Sequence, residues 1–125
     1  MLFCYNKYIN REGCYDMANR NLYKIEMLLL KILEEGDCYG YQLTQSIKER
    51  SQKQIKIADG TMYPILYKLL DQGFISDYKE LVGKRQTRVY YHLESSGKEH
   101  LKQLIEDYYQ MTDAIQRILG PRNQT

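Results

Sequence analysis

Tryptophan is absent from the 125 residues, and proline (2), phenylalanine (2), histidine (2) and cysteine (3) are all scarce. An odd number of cysteines without paired spacing argues against a disulfide framework and for a reducing cytosol. His92 and His100 share no ligand spacing with cysteines or carboxylates, so no metal site is expected. Cys38, apart from the two cysteines near the N-terminus, reads as a small apolar residue near a helix end. Long apolar runs are missing too. The run Met27–Leu30 is four residues and none exceeds five, against the ~18 that a membrane span needs. Nothing resembles a glycine-rich phosphate loop, a nucleophile–base pair or a paired set of carboxylates, so neither an enzyme nor a cofactor is expected. Charge of one sign is also lacking: 18 basic side chains face 16 acidic ones, a net +2. What the chain has in quantity is tyrosine, 13 residues of it, within a composition 43% apolar and 27% charged. That describes a globular domain, and the length suits one such domain with an appended helix.

Residues 1–16 differ from the rest. They hold Cys4, Cys14, Tyr5, Tyr8 and Tyr15 without sustained periodicity, and they lack the apolar centre and cleavage site of a signal peptide. They are expected to form a disordered N-terminal arm or not to be translated. For the second reading, Arg11-Glu12-Gly13 can be written in purine-rich codons, as a bacterial ribosome-binding site just before Met17 would require.

Further along, hydrophobic spacing gives the architecture. From Asn21 to Glu35, Leu22, Ile25, Leu28, Leu29, Ile32 and Leu33 form a helical stripe. Tyr23, Met27 and Leu30 add a second apolar face, which suggests burial on two sides, one of them by a partner subunit. Gly36-Asp37 ends the helix. A second helix spans about Tyr41 to Arg50. A third is capped by Asp59 or Thr61, with Pro64 expected in its first turn and Met62, Leu66 and Leu69 facing inward. Two strands follow, around Phe74–Leu81 and Gln86–Leu93, joined by a basic turn at Gly83-Lys84. On the second, Val89, Tyr91 and Leu93 alternate with Arg88, Tyr90 and His92. Ser96 and Glu99 have the spacing of a capping box. They open a long amphipathic helix carrying Leu101, Leu104, Ile105, Tyr108, Met111, Thr112, Ile115, Ile118 and Leu119, which stops at Gly120-Pro121. Its apolar face exceeds what a small core covers, and an intermolecular seam would use the surplus. The expected fold is mainly α with a small β-hairpin: a winged helix-turn-helix over residues 17–94, a dimerisation helix over 95–119 and a tail over 120–125.

Charge is distributed unevenly along this order. Residues 48–93 carry nine basic and five acidic side chains, net +4, while the flanking segments are each −1. The positive stretch lies where a reading helix and wing would face phosphates.

Several motifs resemble the PadR-type transcriptional regulators. Gly40-Tyr41-Gln42-Leu43 is similar to that family's Gly-Tyr-x-Leu at the second helix. Gly60-Thr61-Met62-Tyr63-Pro64-Ile65-Leu66-Tyr67-Lys68-Leu69 resembles its recognition-helix signature, although Tyr67 stands where many members carry a basic residue. Asp71-Gln72-Gly73-Phe74-Ile75 looks like the exit into the wing. Arg88-Val89-Tyr90-Tyr91-His92-Leu93, with Gly97 after it, resembles the wing strand and the helix start beyond. The single C-terminal helix is that of the short-tailed subgroup. The resemblance implies a homodimer that binds a palindromic operator in double-stranded DNA, represses transcription and is often released by a small ligand.

The residues themselves support the DNA half. Thr61, Pro64 and Lys68 share an outward helical face with Tyr63 beside it, Gln42 lies outward on the helix before, and Lys84, Arg85 and Arg88 sit on the hairpin, suited to phosphates, base edges or the minor groove. For an aromatic effector, Tyr23, Met27, Tyr108, Tyr109 and Met111 are the candidate lining. For the dimer interface the candidates are Leu22, Leu104, Tyr108, Met111, Ile115 and Ile118. Two other readings remain open at this point: a winged-helix protein-interaction module, and a ligand sensor without specific DNA binding.

Overall fold

The computed structural model describes residues 24–123, arranged as α1 (Ile25–Glu35), β1 (Cys38–Tyr39), α2 (Gly40–Arg50), α3 (Asp59–Asp71), β2 (Ile75–Val82), β3 (Gln86–Leu93) and α4 (Ser95–Leu119). The expectations for residues 1–16, for Met17 and for Leu22 and Tyr23 lie outside the described residues. Within them the winged helix-turn-helix with its long appended helix is present.

The core is drawn from all four helices. Leu29, Leu30, Leu43, Met62, Leu66, Leu69 and Leu101 are its fully buried side chains, each contributing about 1.5–3 kcal/mol by leaving water. α1 runs through the middle, touching α2, α3, β3 and α4. That position corrects one expectation. Met27 and Leu30, at 8% and 0% exposure, are enclosed by the protomer's own elements, so these two residues of the second apolar face need no partner subunit to cover them. Arg50 binds Glu35 through both guanidinium nitrogens, at 2.8 and 3.0 Å, tying the end of α2 to the end of α1.

The sheet has three antiparallel strands in the order β1-β3-β2. The sequence suggested only the β2–β3 hairpin. β1 escaped because it is two residues long, too short for any periodicity, and pairs only as Cys38↔Tyr91 and Tyr39↔Tyr90. On β3 the expected alternation holds: Tyr91 and Leu93 are buried between exposed His92 and half-buried Tyr90.

Two helix starts differ from the sequence reading. The N-cap of α3 is Ala58, which supplies no side-chain bond. Asp59 and Thr61 therefore lie inside the first turn, where Asp59 still complements the helix dipole. Pro64 consequently falls in the second turn and removes the bond that Gly60 would otherwise accept. At α4 the cap is Glu94 and no capping box forms. Ser96 instead donates its hydroxyl to the Gly73 carbonyl at 2.8 Å. The Glu94 carboxylate accepts from the Ser76 hydroxyl at 2.6 Å, and its amide bonds Phe74 O at 3.0 Å. His100 stacks flat on Phe74, with ring centroids 4.2 Å apart. The start of α4 is thus fastened to the turn between α3 and β2. Gly97 makes this approach possible: a Cβ there would overlap the Phe74 carbonyl and crowd Leu93.

Candidate nucleic-acid interface

α3 is held by one face and offers the other. Met62, Leu66 and Leu69 are wholly buried, while Thr61, Pro64 and Lys68 are exposed together on the opposite side, as their spacing implied. Tyr67, 60% exposed, stands beside this face, and Tyr41 on α2 is 64% exposed. Neither was among the sequence-derived contacts, although Tyr67 follows Pro64 by three residues and so had to emerge near it. Its ring lies 6.1 Å from that of Tyr63.

Tyr63 is half-buried, and its hydroxyl occupies the space where a Cβ on Gly40 would sit. This contact joins the Gly-Tyr motif of α2 to the Tyr-Pro motif of α3. Gly40→Ala is expected to displace Tyr63 and cost about 1–2 kcal/mol. A compensating Tyr63→Leu should recover most of that loss in a denaturant-melt double-mutant cycle, because the obstruction is a side-chain tip. Gln42 lies nearby and exposed; its side-chain carbonyl accepts from the Tyr39 amide at 3.1 Å, leaving its NH2 group directed elsewhere.

The hairpin divides the three basic residues expected there. Lys84 and Arg85 are exposed at the turn after Gly83, whose φ of 70° suits glycine. Arg88 lies further back and is half-buried, with its guanidinium 4.4 Å above the Tyr39 ring, a cation–π contact. It belongs to a row on the outer sheet face. Tyr39 meets Tyr90 edge-on at 5.5 Å, and Tyr90 stacks on Tyr78 at 5.7 Å. At the far end the Tyr78 hydroxyl donates to Asp37 at 2.8 Å, and His92 Nδ1 approaches the other Asp37 oxygen at 2.8 Å. Partial burial pushes the Asp37 carboxyl up, but the bonds from His92 and Tyr78 outweigh it and hold the group below its ordinary value.

Two phenols are displaced further. The bond to Asp37 pushes Tyr78 up to about 12. Burial, with Tyr63 and Tyr67 close by, does the same to Tyr91, also about 12. A raised pKa means these groups favour the folded state below the ordinary tyrosine value of ~10, a contribution lost as pH rises through about 12. An alkaline absorbance titration is expected to find two tyrosines ionising near pH 12. Tyr78→Phe should remove one of them.

Away from this surface, a groove of about 290 Å³ between α1 and α4 is lined by Met27, Leu28, Lys31, Ile55, Ile105, Tyr108 and Tyr109. It gathers three of the five candidate effector residues. Met111 is not in its lining, and Tyr23 is outside the described residues. Of the expected interface residues, Leu104 is 6% exposed and packs into the protomer's own core. Tyr108 and Ile115 are half-buried, while Met111 and Ile118 are 59% and 84% exposed, with Leu119 at 77%. The distal half of α4 therefore carries an uncovered apolar stripe. Among the described residues no helix is long and apolar enough to cross a membrane, and no His, Cys, Asp or Glu cluster could hold a metal ion.

The profile of the transcriptional regulator PadR-like family matches residues 29–103. The negative transcriptional regulator PadR of Bacillus subtilis is 31% identical over 77 residues, 62% of this chain and 42% of that protein. Among solved structures, a transcriptional regulator from Clostridium thermocellum superposes with a TM-score of 0.71 at 26% identity, covering 76% of this chain and 92% of its own. Bacillus subtilis PadR in complex with operator DNA gives 0.61 at 30% identity, covering 65% and 46%.

Proposed function

The chain belongs to the PadR-like family of transcriptional regulators, and on that premise we propose that it binds operator DNA as a homodimer and represses transcription in the cytosol. The observation that carries this reading is the division of α3. One face is locked into the core by Met62, Leu66 and Leu69, and the other presents Thr61, Pro64 and Lys68 to solvent. A helix anchored in this way and free on its outer side has the form of one that reads a major groove. Thr61 and the free NH2 of Gln42 supply hydrogen bonds to base edges or phosphates, and Lys68 a phosphate contact. Tyr63 supports α3 from beneath, Pro64 lets the backbone approach closely, and Lys84 and Arg85 reach flanking phosphates or the minor groove. Arg88 contributes from the turn-side half of β3. The Bacillus subtilis relative, named a negative regulator and solved with operator DNA, supports the same direction of function.

Residues 17–94 form the DNA-binding part of this reading and 95–119 the pairing helix. A second copy would cover Met111, Ile115 and Ile118, as hydrophobic stripes of this size call for. A two-fold dimer then needs a palindromic operator with half-sites about one helical turn apart. The groove holding Met27, Tyr108 and Tyr109 adjoins that stripe, so a small aromatic effector lodged there would shift the two protomers and release DNA.

The test starts from a random pool of DNA duplexes. Selection on the purified protein should enrich a palindrome whose binding weakens steeply with salt, and sedimentation should find a dimer at micromolar concentration. A pool that shows no enrichment would refute DNA reading and leave a protein-interaction module. A monomer would remove the dimer and the palindrome with it.

A further inference from the structure

We propose that Asp37 is a positioning residue for DNA binding, a clamp that fixes the angle of the wing relative to the reading helix. The inference rests on the DNA-binding reading above and adds a residue outside the set of expected contacts. Asp37 sits in the short connection between α1 and β1, and its two carboxylate oxygens are divided between the two strands of the hairpin. One accepts from Tyr78 on β2 and the other from His92 on β3, each at 2.8 Å.

The base of the hairpin is packed into the core by Ile75, Tyr91 and Leu93, but its outer part is exposed on β2 from Asp77 to Leu81. β1 pairs with β3 only at Tyr91 and Tyr90, and from Val89 to the turn β3 has β2 as its sole strand neighbour. The turn begins at Gly83, five residues past Tyr78, or ~17 Å at the usual strand rise, and carries Lys84 and Arg85 at the tip. On that lever a tilt of roughly 10° moves the tip by roughly 3 Å, enough to break a phosphate contact. The clamp also connects to the row of rings: Tyr78 stacks on Tyr90, Tyr90 meets Tyr39, and Arg88 rests on Tyr39. Holding Tyr78 therefore also holds the surface on which Arg88 is oriented.

The test uses the full chain and the duplex enriched by selection. Asp37→Ala should weaken binding about 100-fold. It should flatten the slope of log affinity against log salt by about 3 to 4, the share of the four phosphate contacts that Lys84 and Arg85 would make in a dimer. Hydroxyl-radical protection should fade at the flanking positions and persist at the centre of each half-site. Asp37→Asn, which still accepts from Tyr78, should restore most of the affinity. Tyr78→Phe, the gentler change should Asp37→Ala fold poorly, should flatten the slope in the same direction by a smaller amount. Wild-type affinity and slope in both Asp37→Ala and Tyr78→Phe would overturn the proposal. So would protection lost evenly along the site, since that marks general destabilisation. If the wild-type chain itself enriches no duplex, the DNA-binding reading has failed and the clamp fails with it.

Discussion

A chain carrying Lys68→Ala, Lys84→Ala and Arg85→Ala together is expected to keep its fold and lose operator affinity by on the order of 10³-fold at physiological salt. All three side chains are exposed, and none forms an ion pair among the described residues. Substitution at such sites usually changes stability by less than ~0.5 kcal/mol each. On DNA the effect is doubled by the dimer, so six phosphate contacts disappear and the salt slope should flatten by about 5. Fluorescence anisotropy across a salt series measures both quantities, and a melt of the same variant separates them from unfolding. An affinity within a few-fold of wild type would mean that this surface does not meet DNA.

The second large effect is structural. Gly97→Ala is expected to cost about 3 kcal/mol, the upper range for overpacking, because the new Cβ meets the Phe74 carbonyl and backbone cannot swing aside as a side chain can. For a domain of this size that lowers the melting temperature by roughly 15 °C. The contrast is Gly60→Ala on α3, where nothing lies within 4 Å of an added Cβ and reduced chain entropy should stabilise by about 0.4–1 kcal/mol. Thermal melts of the two variants should move in opposite directions. Equal melts would show that the close approach of α4 to the α3–β2 turn is not what Gly97 serves. The same approach explains Ser96. Its hydroxyl satisfies Gly73 O across the turn, a tertiary bond that takes precedence over the local capping box its spacing suggested.

What the sequence made legible was whatever repeats with a regular period. The alternation of Val89, Tyr91 and Leu93 against Arg88, Tyr90 and His92 assigns one strand, and the three- and four-residue steps from Leu101 onward assign α4. The Met62, Leu66 and Leu69 stripe fixes which side of α3 is free, so Thr61, Pro64 and Lys68 could be placed before any coordinates. Features set by tertiary contact were not legible. β1 has only two residues and exists because Cys38 and Tyr39 find Tyr91 and Tyr90. The burial of Met27 and Leu30 within one protomer depends on α1 having neighbours on several sides. Arg88 looked like a wing cation, yet Tyr39, 49 residues earlier, draws its guanidinium onto the sheet face. Asp37 carried no signal at all, being one acidic residue after a helix-ending glycine, because its partners Tyr78 and His92 are 41 and 55 residues away.

Whether α3 and the wing of two protomers read DNA together is tested most directly by a hydroxyl-radical footprint of the wild-type protein on its selected duplex. Two protected half-sites are expected, related by two-fold symmetry and centred about 10 bp, or a whole number of helical turns, apart. The Lys68, Lys84 and Arg85 triple variant should erase that pattern at the same protein concentration. No protection, or a single unpaired patch that survives the triple variant, would contradict this joint reading of DNA.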